Sequence, residues 1–272
     1  MSDVILTLRA PLARPVEAEC ISPDRFATAS EREIAELPVW EGKRQLPLGE
    51  LFAVRGERSA TVRVEGDVSA VDALGAGMSA GELVAEGSVG RYVGTRMSGG
   101  RLHVRGGAGY GAGLEMVGGV LEIDGDAGDR LGASRLGASK GMAGGEIVVR
   151  GSAGAEAGAS ARRGLVVVCG NVGERAAHRM IAGSVIVLGS AARGAGEWSK
   201  RGSVVVTGDV VPPVTYRYAC TYHPPHVALT LRRLRGRFGV ALDERWVNGL
   251  YRRYSGDLSE LGKGEILQWT LG

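Results

Sequence analysis

Aromatic side chains make up only 5% of the 272 residues, and cysteine occurs three times. So few rings leave no ladder for stacking on sugars and no platform for unpaired bases. Cys20, Cys169 and Cys220 are odd in number and share no metal-binding or redox spacing, which argues against a disulfide framework and for a reducing compartment, the cytoplasm. No apolar run approaches the roughly 18 residues of a membrane span, and the N-terminus lacks a secretory pattern. Neither sign of charge dominates. The 33 Lys and Arg against 30 Asp and Glu leave a net of +3, too small an excess for a nucleic-acid binder.

What the chain has in abundance is glycine, 45 residues of it, and seven of these open near-identical segments at Gly81, Gly100, Gly119, Gly145, Gly164, Gly183 and Gly202. The separations are 19, 19, 26, 19, 19 and 19 residues. A fixed period in this range marks a chain that stacks one supersecondary unit many times. Each unit is a glycine, five residues of alternating character, a second glycine and a return rich in Gly and Ala, as in Gly81-Glu-Leu-Val-Ala-Glu-Gly87. Ala60-Thr-Val-Arg-Val-Glu-Gly66 is an eighth, weaker copy. Alternation over five residues predicts a short strand, because successive side chains point to opposite faces.

Taken in turn, the second and fourth residues are Val62/Val64, Leu83/Ala85, Leu102/Val104, Leu121/Ile123, Ile147/Val149, Val166/Val168, Val185/Val187 and Val204/Val206. All are apolar, so this row is expected inward, each rung packed on the next. A 19-residue unit is too short for a strand, a full helix and two loops. The expected fold is therefore an all-β core: a single-stranded parallel β-helix, a right-handed solenoid, with mixed α/β N-terminal and C-terminal appendages. Eight coils at about 4.8 Å each make a rod roughly 35–40 Å long. Nineteen is not a multiple of six, which counts against the six-residue period of solenoid acyltransferases. A carbohydrate-binding solenoid would want aromatic or acidic ladders, which are absent.

The organisation expected is a cap over residues 1–59, the repeat domain over 60–210 and a C-terminal docking arm over 211–272. In the cap, Val4 to Arg9 reads as a strand, Ser22 as a helix cap before Pro23, and Ser30 as the start of another helical turn. In the arm, Pro212-Pro213 ends the repeats, Val227 to Arg237 forms a basic amphipathic stretch, Asp243 to Tyr254 reads as a helix and Gly264 to Leu271 as a closing strand.

The third residue of each strand points outward: Arg63, Val84, His103 and Glu122 early, then Val148, Val167, Ile186 and Val205. An apolar stripe of this length requires cover, by a partner subunit or by an appendage crossing it. The long interval between Gly119 and Gly145 adds seven residues around Ala133 to Ser139, an insertion that maps to a surface loop on the binding face. Arg130, Arg135 and Lys140 cluster there, and guanidinium groups suit carboxylates.

Chemistry of the chain's own is hard to find. His223 and His226 are separated by two prolines and lack a third ligand, so no metal site is expected. Asp124 to Asp129 superficially resembles a calcium loop but lacks its bidentate Glu, and reads as a turn held by local Asp bonds. Cys169 and the turn serines have no base placed beside them. The Gly-x-Gly spacings between Gly106 and Gly113 recur as corners with no helix following, unlike a dinucleotide site.

The segments Gly90-Arg-Tyr-Val-Gly94-Thr-Arg-Met97-Ser-Gly99-Gly100 and Gly109-Tyr-Gly-Ala-Gly113-Leu-Glu-Met116-Val-Gly118-Gly119, with Gly125 to Ala133, resemble the C-subunit family of the formylmethanofuran dehydrogenases. The solenoid is also similar to the C-terminal domain of the glutamate synthase large subunit. The likeness covers 60–210, and the ending Tyr251 to Asp257 with Gly262 to Ile266 is similar to the bacterial branch. The resemblance implies a non-catalytic subunit of a hetero-oligomeric formyltransferase/hydrolase complex in one-carbon metabolism. That complex moves a formyl group from formyl-tetrahydromethanopterin to a methanofuran-type cofactor and releases formate, with the chemistry on other subunits. The alternatives are the C-subunit of a redox-active tungsten or molybdenum formylmethanofuran dehydrogenase and an independent solenoid acyltransferase. No cofactor is expected on this chain alone. Arg130, Arg135, Lys140, Arg252 and Arg253 are candidates for contact with a partner or with an anionic cofactor tail, and Val148, Val167, Ile186 and Val205 for an interface between subunits.

Overall fold

Before the repeats, the chain forms β1 (Val4–Leu8), β2 (Val16–Glu17), α1 (Pro23–Phe26), α2 (Glu31–Ala35), β3 (Pro38–Glu41), β4 (Arg44–Pro47), α3 (Leu48–Leu51) and β5 (Phe52–Arg55). The repeats supply β6 (Thr61–Glu65), β7 (Val71–Asp72), β8 (Glu82–Ala85), β9 (Ser98–Val104), β10 (Gly118–Ile123), β11 (Glu146–Val149), β12 (Leu165–Val168), β13 (Ser184–Val187) and β14 (Arg201–Val206). The remainder forms β15 (Arg217–Tyr222), α4 (Pro225–Phe238), α5 (Glu244–Asn248), β16 (Leu250–Gly256) and β17 (Lys263–Thr270). The structure is a computed structural model and describes residues 3–271.

The protein is mostly β, built on a 13-stranded sheet ordered β15-β16-β17-β14-β13-β12-β11-β10-β9-β8-β6-β1-β5. From β1 to β17 every pairing is parallel, with one irregularity between Gly118 and Val120, so Leu83, Leu102, Leu121, Ile147, Val166, Val185 and Val204 form one row. All sixteen residues expected inward are at most 1% exposed. A second parallel ladder of single bridges joins Val68, Val89, Ala108, Ala127, Ala153, Val172 and Ala191, with the same step. Between the two ladders lies the main core, which also takes a column of Met78, Met97, Met116, Met142 and Met180.

Antiparallel strands close both ends of the sheet: β5 beside β1, and β16 then β15 beyond β17. The N-terminal segment therefore continues the sheet instead of standing apart from it. Its α2 starts with a capping box, in which Ser30 Oγ accepts from the Glu33 amide and the Glu33 carboxylate accepts from the Ser30 amide.

Glycine is required where backbones of neighbouring repeats nearly touch. Gly119 has φ +79°, and a Cβ there would lie 2.7 Å from the Gly99 carbonyl oxygen. Gly119→Ala should therefore cost about 1–2 kcal/mol for the left-handed backbone and roughly 1–3 more for crowding, measured by chemical denaturation.

Two sequence expectations are corrected here. The helix expected from Asp243 to Tyr254 stops after Asn248, and Leu250 begins β16. A Cβ at Gly249 would meet the Arg245 carbonyl at 2.2 Å, and alternating residues from Leu250 pair with β17 and bury Tyr251. The Asp124 to Asp129 turn is not held by local bonds. Asp126 accepts from the Ser152 amide and Asp129 from the Ala155 amide, both at 2.7 Å and both one repeat later.

The apolar outer stripe is sealed by the chain itself. Val148, Val167, Ile186 and Val205 form a second core with Val227, Ala228, Leu231, Leu234 and Phe238 of α4. The 14 residues of α4 extend about 21 Å, close to the roughly 19 Å of four strand steps from β11 to β17. At one end His226 lies 3.7 Å from Glu265 on β17. At the other, Arg233 and Arg237 pair with Glu146 on β11, and Arg150 donates to the Phe238 carbonyl at 2.7 Å. The crossing appendage thus occupies the stripe, and these four residues present no surface to another subunit while α4 is docked.

Candidate functional site

The third side of each repeat is a glycine-rich turn whose residues alternate into left-handed backbone. Tyr92, Arg130, Glu156 and Arg175 occupy one such column, and Arg96, Glu115, Arg179 and Trp198 another. Positive φ turns these side chains out of the narrow core, so this wall carries charge and rings where the sheet carries aliphatics. The inserted loop stands on this wall and divides it into two clefts, with Arg135 and Leu136 lining both.

The larger cleft, about 560 Å³, lies on the C-terminal side of the loop. Its lining includes Arg130, Arg135, Lys140, Arg179 and Lys200 against Glu156 and Glu260, which leaves a cationic surface. Its floor is Trp198, 53% exposed despite the chain's poverty in rings. The ring packs against His178 at 5.3 Å, and the Arg179 guanidinium stands 5.9 Å over it. Burial pushes the His178 pKa below its ordinary value, and its Nδ1 has no hydrogen-bond partner.

Trp198 is fixed from below. Its amide donates to Asp257 Oδ2 at 2.8 Å, while Asp257 Oδ1 accepts from the Ser259 amide and hydroxyl at 2.8 and 2.6 Å. Burial opposes ionisation of Asp257, but the bonds from Ser259 and Trp198 outweigh it and hold the pKa below the usual carboxylate value. A depressed folded-state pKa contributes stability that is present above the unfolded value and lost as pH falls through the folded one. Asp257→Ala should therefore remove about 1–3 kcal/mol at neutral pH, and the difference from wild type should shrink below about pH 4, as followed by thermal melts across pH.

The structure brings three of the sequence-predicted residues together and leaves two elsewhere. Arg130 is the least available of them: it is ion-paired with Glu156 and donates to the Ser134 carbonyl at 2.7 Å, so it holds the loop in place. Arg135 leans on Glu115 at 3.5 Å, while Lys140 is exposed on the cleft and outside the ion pairs found among the described residues. Arg252 and Arg253 lie on β16 and line no part of the cleft; Arg253 pairs with Glu265 at 2.9 Å. Sequence reasoning missed His178, Arg179, Trp198 and Lys200. The period offered a signal, since Ser160, Arg179 and Trp198 are 19 residues apart. No group of three or more His, Cys, Asp or Glu side chains among the described residues is placed to share an ion, and no helix there is long and apolar enough to cross a membrane.

Stacked parallel repeats with a cationic cleft beside an exposed tryptophan define a β-repeat protein. No protein-family model matches the chain. It is 35% identical to a chain of the crystal structure of the formyltransferase/hydrolase complex (FhcABCD) from Methylorubrum extorquens in complex with methylofuran, with a TM-score of 0.87 over 97% of this chain and 98% of that one. It is 40% identical over 98 residues to the C-subunit of molybdenum-containing formylmethanofuran dehydrogenase 1 of Methanosarcina barkeri, or 34% of this chain and 33% of that protein. With the C-subunit of tungsten-containing formylmethanofuran dehydrogenase 2 of Methanothermobacter thermautotrophicus it shares 38% over 99 residues, 35% of this chain and 37% of that one. The chain thus spans about a third of the length of these curated relatives. It belongs to the C-subunit family of the formylmethanofuran dehydrogenases.

Proposed function

We propose that this chain is a non-catalytic structural subunit of a formyltransferase/hydrolase complex. That complex transfers a formyl group from formyl-tetrahydromethanopterin to a methanofuran-type cofactor and releases formate, in the cytoplasm. The observation that carries the reading is near end-to-end likeness to one chain of such a complex, 97% and 98% coverage at 35% identity. Likeness to the molybdenum and tungsten proteins is confined to about a third of each, which favours the hydrolytic complex over the redox-active one.

In this reading the two ladders are walls of one right-handed parallel β-helix. Residues 60–210 form that rod, 1–59 cap one end, and 211–272 close the other and dock partners. The cationic cleft takes carboxylates, from the anionic tail of the cofactor or from a neighbouring subunit. Arg179 and Lys140 are the groups best placed to do so, Lys200 being within 4.0 Å of Glu260, with Arg130 and Arg135 shaping the loop and Arg252 and Arg253 on a separate face.

Purification of the tagged chain from its native host, with companions identified by mass spectrometry, tests the reading. The expected companions are the catalytic subunits of formyl transfer and hydrolysis; a chain recovered alone, or with molybdenum- or tungsten-bearing partners, contradicts it. Arg179→Glu with Lys140→Glu should weaken assembly or cofactor affinity about tenfold or more, without loss of thermal stability. Unchanged values for both would remove the cleft from the proposal.

A further inference from the structure

The smaller cleft, about 330 Å³, has the opposite character. It lies on the N-terminal side of the inserted loop and is lined by Glu17, Glu19, Tyr92, Thr95, Tyr110 and Leu114, with Arg135 and Leu136 at the loop side. The Tyr92 and Tyr110 rings meet edge to face, 5.7 Å apart and 86° between planes, forming two walls of a box. Tyr92 is braced from outside by the Arg91 guanidinium, 5.9 Å from the ring and held by Asp72 at 2.7 and 3.0 Å.

Three observations fix the sign and kind of ligand. Glu17 and Glu19 are exposed and belong to none of the ion pairs among the described residues. Arg135, the one cation in the lining, is turned to Glu115, and Arg91 behind Tyr92 is ion-paired with Asp72. The third is Thr95, only 3% exposed and lining the cleft, whose hydroxyl oxygen has no hydrogen-bond partner. A buried hydroxyl left unpaired is costly, and native structures retain one where something else satisfies it. Perpendicular ring faces, two free carboxylates and an oxygen able to accept a hydrogen bond together make a receptor for an ammonium group.

We propose that this cleft binds an organic cation, an ammonium on a short aliphatic stem. The stem lies against Leu114 and Leu136, the charged head faces Tyr92 and Tyr110, and an N–H donates to Thr95 Oγ1. The cation is either a free amine or the lysine side chain of a companion subunit; the recognition chemistry is the same.

Binding to the purified full-length chain is measured by NMR shift titration with n-butylammonium and, in parallel, with the neutral isostere butan-1-ol. The cation should bind at millimolar concentrations and about tenfold or more tighter than the alcohol. Glu17→Gln with Glu19→Gln, and separately Tyr110→Leu, should each weaken it several-fold. Thr95→Val should weaken it too while raising the melting temperature of the free chain, because it deletes an unpaired buried hydroxyl; a merely structural threonine would show the reverse. In the assembled complex, carbodiimide coupling of Glu17 or Glu19 to a companion's lysine identifies a protein source, and retained butylammonium binding without coupling identifies a free amine. Equal affinity for alcohol and ammonium, no binding by the free chain, or an assembly that neither couples nor binds the probe overturns the proposal.

Discussion

Leu121→Ala should destabilise the chain by about 2–5 kcal/mol, read from the denaturation midpoint of the purified protein. Leu121 is fully buried, in register between Leu102 and Ile147, and its Cδ2 atom lies 3.5 and 3.4 Å from where a Cβ would stand at Gly94 and Gly113. Those corners are tied to the preceding repeat by backbone hydrogen bonds, Gly94 N–H to the Leu74 carbonyl at 2.9 Å and Gly113 N–H to the Val93 carbonyl at 2.8 Å, so they resist collapse into the space a leucine leaves. The neighbouring position supplies the control. His103, on the outer face of the previous strand, contacts Asp124 at 2.9 Å and is only partly covered, so His103→Ala should cost about 0.5–1.5 kcal/mol. Equal losses at both sites would mean that the inward and outward faces had been exchanged.

The second large effect is expected on α4. Leu231 is fully buried against the stripe of Val148, Val167, Ile186 and Val205. Leu231→Asp sets an unpaired carboxylate there and should cost on the order of 3–5 kcal/mol. If the helix lifts, the exposed stripe should drive self-association, detectable by light scattering at concentrations where the wild type is monodisperse. Leu229 lies on the same helix but is 65% exposed. Leu229→Asp should stay within about 0.5 kcal/mol of wild type, and an equal loss at Leu229 would place the helix in a different rotation.

The ladder was legible in the sequence because its cause is local and repeated. Five alternating residues between glycines dictate a strand, and eight copies dictate which side faces in. Leu83, Leu102 and Leu121 lie where alternation puts them. The apolar stripe was legible as a demand for cover, and the amphipathic spacing of Leu231, Leu234 and Phe238 as something able to cover it, but the match in length between α4 and four strand steps exists only in three dimensions. Asp243 to Tyr254 misled because its first turn is capped by Asp243, which accepts from the Arg245 amide at 2.8 Å, whereas the strand that follows is imposed by pairing with β17.

The clefts were the least legible part. The inserted loop announced itself as a break in period, and Arg135 and Lys140 do line the larger cleft. Trp198, however, reaches it through a left-handed turn three repeats after the loop, in a column visible only once the repeats are stacked. Arg130 illustrates the opposite error: a basic residue in the right place, but committed to Glu156 and to the loop backbone. Charge in a sequence does not tell whether a neighbour has already neutralised it.

The most direct test compares three samples in formyl-transfer and formate-release assays: the isolated chain, the companion subunits without it, and the reconstituted assembly. A structural role predicts no turnover by the isolated chain, full turnover by the assembly, and incomplete assembly with diminished turnover when the chain is withheld. Formyl transfer or hydrolysis by the isolated chain, or companions that assemble and turn over equally well without it, would contradict that role.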